Sequence, residues 1–256
     1  MKQLMRTILL VLATIMIAAP AVSSAKGELV LVAGATGRTG KQAVLQLAAR
    51  GYKVRALVRD DAKATTAEFP AGVTVIKGDV RDLASLKPAM KGVKFVISAI
   101  GAGGGPNPQP GNGAEDIDNL GVANLAQAAK AAKVKQLVLV SSASTTHYAD
   151  YPVAFMRPIF AAKFKGENAL RASGVPYTIV RPGGLNDEPG GKLAVQFAQG
   201  DTVAGRIPRA DVATVCIEAL GRKASIGRTF EIVSGTEAWP NDWNKSFATL
   251  TVDPKR

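Results

Sequence analysis

A chain of 256 residues, 47% hydrophobic and 20% charged, has the composition of a globular protein with a substantial core and excludes a disordered one. Its single cysteine, Cys216, excludes an intramolecular disulfide and leaves the redox compartment unmarked. A formal charge of +12 draws anions without specificity, but the basic residues are scattered and aromatics make up only 5%, which argues against a dedicated nucleic-acid surface.

The first 25 residues read as a separate unit. Lys2 and Arg6 precede the apolar run Ile8 to Ala19, then Pro20 and the small residues Ser23, Ser24 and Ala25. That is the order of a secretory signal peptide cleaved after Ala25, and it predicts export to the periplasm or beyond. The apolar run is shorter than the roughly 20 residues that span a bilayer. An uncleaved anchor reaching Val22 is the alternative, and only then is a membrane a partner.

From Glu28 onward short apolar runs alternate with longer amphipathic ones. Leu29 to Ala33, Lys53 to Val58, Val73 to Ile76, Phe95 to Ala99, Leu137 to Val140 and Tyr177 to Val180 predict buried strands, rich in valine and isoleucine. Thr39 to Ala49, Leu83 to Met90, Asp118 to Ala132 and Ala161 to Ser173 predict helices between them. The order predicts a single-domain α/β fold over residues 26–256, a Rossmann-type doubly wound parallel sheet with right-handed crossovers.

Between the first strand and the first helix lies VAGATGRTG, Val32 to Gly40. Here Gly34 permits a tight turn, Gly37 lets backbone approach a pyrophosphate, and Gly40 allows helix and strand to pack closely, with the anion at the helix N-terminus. A glycine-rich structural turn is the bland alternative. Which dinucleotide binds depends on the end of the second strand, where an acid suits the ribose hydroxyls of NAD and an arginine the extra phosphate of NADP. Arg59 stands there, with Arg38 projecting from the glycine turn, so NADP is favoured. Asp60 would serve NAD if the strand ended one residue later, and both arginines also read as solvated surface residues.

The elements GATGRTG (Gly34 to Gly40), VRALVRD (Val54 to Asp60), KGDVRD (Lys77 to Asp82), VLVSS (Val138 to Ser142), SGVPYTIVRPGGL (Ser173 to Leu185) and RADVA (Arg209 to Ala213) resemble the atypical short-chain dehydrogenase/reductases. Within that group the chain resembles the NAD(P)H-binding, NmrA-like proteins similar to biliverdin IX beta reductase and to the Tic62-type proteins. The resemblance implies that Gly34, Thr36, Gly37, Arg38, Thr39 and Gly40 face the phosphates, Arg59 the 2'-phosphate, and Asp79 and Val80 the adenine. It places Ala99, Ile100 and Gly101 along the pyrophosphate and nicotinamide ribose, Ser141 and Ser142 at a ligand-bearing strand end, and Lys163 at the nicotinamide ribose. Ser142 and Lys163 are the catalytic candidates, and no metal is expected.

Most short-chain dehydrogenases carry a tyrosine four residues before that lysine, which lowers the tyrosine's pKa. Here the position is Ile159, and none of Tyr52, Tyr148, Tyr151 and Tyr177 has a lysine four residues on. Lys163 also has Glu167 at helical spacing as an alternative surface partner. The segment Gly101 to Ala114 reads as a lid or a surface connection, and His147 to Pro158 brings aromatics and Met156 toward the nicotinamide end. The tail holding Trp239, Trp243, Phe247 and Leu250 reads as structural. Two functions stay open: an NADPH-dependent reductase of a small carbonyl, quinone, flavin or tetrapyrrole-like compound, or a non-catalytic NAD(P)H-binding protein that senses redox state or scaffolds a protein partner.

Overall fold

The computed structural model describes residues 25, 27–60, 62, 65, 67–102 and 110–254. Strands β1 (Leu29–Ala33), β2 (Lys53–Val58), β3 (Thr74–Lys77), β4 (Phe95–Ser98), β5 (Gln136–Val140) and β6 (Tyr177–Pro182) follow the apolar runs closely. They pair in parallel in the order β3-β2-β1-β4-β5-β6, and β10 (Arg228–Ala238) continues the sheet in parallel beside β6. Strand β8 (Leu193–Ala198) closes that edge antiparallel to β10. Successive β1 residues alternate between two cores, Val30 and Val32 on one face and Leu31 and Ala33 on the other, so the strand is apolar throughout because both faces are covered.

One core packs the sheet against α1 (Arg38–Ala49) and α5 (Arg209–Ala219). The other packs it against α2 (Leu83–Ala89), α3 (Val122–Ala131) and α4 (Arg157–Ser173). Connections run to opposite sides on leaving β1 and β4, and the crevice between those strand ends is the switch point where open α/β sheets take ligands. Helix α3 is entered through a π-helical turn, Glu115–Gly121. Helix α4 begins four residues earlier than its apolar pattern, with Pro158 in its first turn, and ends on Gly174 at φ +73°.

Both buried strands that the apolar pattern truncated carry a polar residue at the missed end. Gln136 opens β5 fully buried, donating to Thr178 Oγ1 at 2.8 Å and Ser225 Oγ at 3.0 Å and accepting from Gly221 N at 2.7 Å. Arg181, near the end of β6, is likewise buried. Helix α5 has apolar residues on every side, so it lacks the amphipathic stripe that marks a surface helix. It buries Cys216 completely, and burial pushes the thiol pKa up to about 12.

A short parallel pair, β7 (Gly184–Asn186) and β9 (Arg206–Pro208), lies apart from the main sheet. The C-terminal segment packs as expected: helix α6 (Trp243–Ala248) sets Phe247 edge-on to Phe197 at 5.3 Å and Trp243 against Trp239 at 5.4 Å. The expected leader lies outside the described residues except for Ala25, as does most of the glycine- and proline-rich segment after Gly101. Among the described residues no helix is long and apolar enough to cross a membrane.

Candidate functional site

The glycine turn is built by close approach. Gly34 has φ +78°, and a side chain there would lie 2.6 Å from the Ala99 carbonyl oxygen at the end of β4. A side chain on Gly40 would come within 2.1 Å of the Gly34 carbonyl, so helix and strand meet backbone to backbone. Gly37 caps α1 without a side-chain hydrogen bond, and the first turn holds no acid. The helix therefore presents unpaired N–H groups and the positive end of its dipole.

That end faces a cleft of about 370 Å³ that brings together Gly34, Thr36, Gly37, Arg59, Val80, Ala99, Ile100 and Gly101. Leu57, Val58 and Gly78, which lie within the quoted motifs without an assigned role, and Ile117, which lies outside them, supply its apolar wall. A polar, glycine-lined mouth against an apolar wall, over an uncapped helix end, suits a phosphate bridge joined to a flat base. Thr39 lies partly buried in the first turn of α1 and Gly40 is buried beneath it, outside the lining of the cleft.

Beside the cleft is a polar hollow of about 330 Å³ lined by Thr36, Arg59, Asp60, Asp79, Arg81 and Asn112. Arg59 Nη1 donates to Asn112 Oδ1 at 2.7 Å. Arg81 grips Asp79 with Nε 3.0 Å from both carboxylate oxygens, and its Nη1 donates to the Gly111 carbonyl at 2.7 Å. Those hydrogen bonds outweigh burial and hold the Asp79 carboxyl below its usual range. Arg38, expected beside Arg59, is instead 71% exposed with Nη1 2.7 Å from Asp187 Oδ2, while Arg209 holds the other oxygen at 2.7 Å. The second guanidinium of the hollow is Arg81, whose place beside Asp79 follows from a turn that spacing alone does not reveal.

Lys163 does not pair with Glu167. Its Nζ lies 2.6 Å from Asp118 Oδ1, and Asp118 Oδ2 accepts from Ala102 N at 3.0 Å, beside Gly101. This contact needs Gly166, because a side chain there would lie 2.0 Å from the Asp118 carbonyl. Glu167 points inward to Arg181, accepting from Nε at 2.9 Å and Nη2 at 2.6 Å. Ser141 is buried and donates to Glu167 Oε1 at 2.6 Å, so its hydroxyl belongs to this network, while Ser142 is only partly buried at the strand end.

The network extends from Arg181 to Glu231 at 3.3 Å and Asp201 at 4.0 Å. Burial raises the Asp201 carboxyl pKa, but donors from Thr146 and Ser144 outweigh it and the net shift is downward. Burial raises the Glu231 carboxyl above its usual range. Asp201 thus anchors the start of the loop that carries His147, Tyr148 and Tyr151. His147 is exposed, Tyr151 packs edge-on to Phe160 at 4.6 Å, and Val153 and Phe155 are exposed apolar residues of the same loop.

The sheet order, the glycine turn and the cleft at the switch point define a dinucleotide-binding Rossmann protein. The chain belongs to the NAD(P)H-binding family, which it matches over residues 34–223, and this reductase-like group is the one its motifs resemble. It is 35% identical to an uncharacterized chloroplastic protein of Arabidopsis thaliana, covering 87% of this chain and 75% of that one. It is 32% identical to sanguinarine reductase of Eschscholzia californica, covering 90% of this chain and 98% of the relative. Its fold is similar to that of ChuY, an anaerobilin reductase of Escherichia coli O157:H7, with a TM-score of 0.69 at 24% identity, covering 83% and 100% of the two chains.

Proposed function

We propose that the protein is an NADPH-dependent reductase of a flat or apolar small molecule: a carbonyl, quinone, flavin or tetrapyrrole-like compound. The observation that carries the choice of cofactor is the polar hollow, where two guanidiniums, Arg59 and Arg81, stand beside the glycine-lined cleft. Bound NADPH supplies a hydride. The first turn of α1 neutralises the pyrophosphate, Arg59 binds the 2'-phosphate, and Asp79 and Val80 border the adenine. Lys163, held beside Gly101 by Asp118, binds the nicotinamide ribose. Ser142 touches the substrate, and Val153 and Phe155 offer it an apolar surface. The reductase named among the relatives supports this reading.

Ile159 stands where a proton-donating tyrosine would be, so the substrate takes its proton from water. The same residue favours the second reading, a non-catalytic NAD(P)H-binding protein that senses redox state or scaffolds a protein. Residues 1–25 are read as an export leader, which N-terminal sequencing of the mature protein tests.

The deciding experiment is a titration of wild type and Arg59→Ala with NADPH and NADH, followed by NADPH oxidation with quinones, flavins and aldehydes. Loss of the charge-assisted phosphate contact is expected to weaken NADPH selectively, by roughly 1.5–3 kcal/mol. Tight NADPH binding without turnover on any acceptor would favour the second reading. No binding of either dinucleotide would remove both.

A further inference from the structure

The hollow beside the cleft holds equal charge of each sign: Arg59 and Arg81 against Asp60 and Asp79. A free carboxylate at such a place repels a phosphate and offers acceptors to ribose hydroxyls, so two carboxylates facing Arg59 alone would suit the unphosphorylated dinucleotide. Asp79 is not free. Arg81 covers both of its oxygens in a planar, multiply bonded contact, and the Gly111 carbonyl holds the guanidinium from the other side. The two side chains are 37% and 24% exposed, so the pair contributes little to stability and its presence calls for another explanation. Arg38 does not supply the missing cation, because Asp187 holds it.

Resting on the reading of the cleft as an NADP(H) site, we infer that Arg81 is a specificity-determining residue that acts through Asp79. By neutralising that carboxylate it turns a hollow suited to ribose hydroxyls into one that accepts the 2'-phosphate. Arg59 makes the contact with the phosphate, and Arg81 removes the charge that opposes it. The lowered pKa of Asp79, caused first by its hydrogen bonds from Arg81, agrees with this coupling.

The test is a set of dissociation constants for NADPH and NADH, measured at one ionic strength on wild type, Arg81→Gln, Asp79→Asn and the double variant. A thermal melt of each variant confirms that it folds. Arg81→Gln is expected to weaken NADPH by about tenfold and to leave NADH unchanged or tighter, the size expected for one unscreened charge a few ångströms away. Asp79→Asn is expected to retain the preference for NADPH, and the double variant to recover it to within about threefold of wild type, because the carboxylate that Arg81 neutralises is removed together with Arg81. An unchanged preference in Arg81→Gln overturns the inference. So does a double variant as weak as Arg81→Gln, which would mean that Arg81 touches the phosphate itself. If wild type binds neither dinucleotide, the reading of the cleft falls first and the inference with it, a result distinct from selective failure of the variants.

Discussion

In the polar hollow beside the cleft Arg81 and Asp79 meet with their side chains 37% and 24% exposed, whereas beneath the loop after β5 Arg181 and Glu167 meet at 5% and 0%. Both are short, multiply bonded arginine–carboxylate pairs, and burial alone makes them different devices. In water an ion pair contributes little and its partners can be exchanged for a ligand's charges. Shielded from water, each charge depends on the others, and removing one strands the rest. The exposed pair can tune what binds, while the buried one fixes where a loop stands.

The sharpest way to break this contrast is Arg181→Met, which leaves Glu167, Glu231 and Asp201 without their shared counter-ion. Denaturant unfolding should show a loss of about 3–5 kcal/mol. A loss under about 1 kcal/mol would place the network with ordinary surface pairs.

Next is Gly166→Ala, whose added methyl would meet the Asp118 carbonyl at 2.0 Å and push α4 from the π-helical turn. It should cost about 1–3 kcal/mol of stability. It should also weaken NADPH binding, because Lys163 and Asp118 part; unchanged affinity would detach Lys163 from the cofactor.

Arg38→Ala tests the exposed side. With Arg38 held by Asp187 at the surface, its loss should change stability by less than about 1 kcal/mol and NADPH affinity far less than Arg59→Ala does. An equal loss of affinity would mean that Arg38 leaves Asp187 for the phosphate.

The smallest effect is in acid. Because Arg81 lowers the folded pKa of Asp79, the folded state binds fewer protons than the unfolded state below the ordinary value of 3.8. That stabilisation is present above this value and is lost as pH falls through the lowered one. Arg81→Gln should flatten this part of the stability profile by less than about 1 kcal/mol, given the pair's exposure, as unfolding curves across that range would show.

The same contrast explains what the sequence made legible. The parallel sheet was readable because its strands are apolar on both faces, and the glycine turn because each glycine answers a specific close contact. The polar ends of β5 and β6 were not, since Gln136 and Arg181 look like surface residues until their buried partners, far away in sequence, are known. Helix α5 was hidden by having no polar face. At the site, Arg59 was marked by its place at a strand end, but Arg81 and Asp118 were not: Arg81 is defined by a turn that folds it back onto Asp79 two residues earlier, and Asp118 by an ammonium that tertiary packing brings up from 45 residues away. Glu167 stands at helical spacing from Lys163, yet it pairs with a buried arginine on β6 instead.

The sealed position of Cys216 has a practical consequence. A thiol that is fully buried and remains protonated far above neutrality is inert to maleimides while the fold is intact. The wild-type protein is thus a clean background for single-site labelling: a cysteine introduced at the exposed Phe155 would carry the only reactive sulfur, and a dye there would report on the loop that Asp201 anchors.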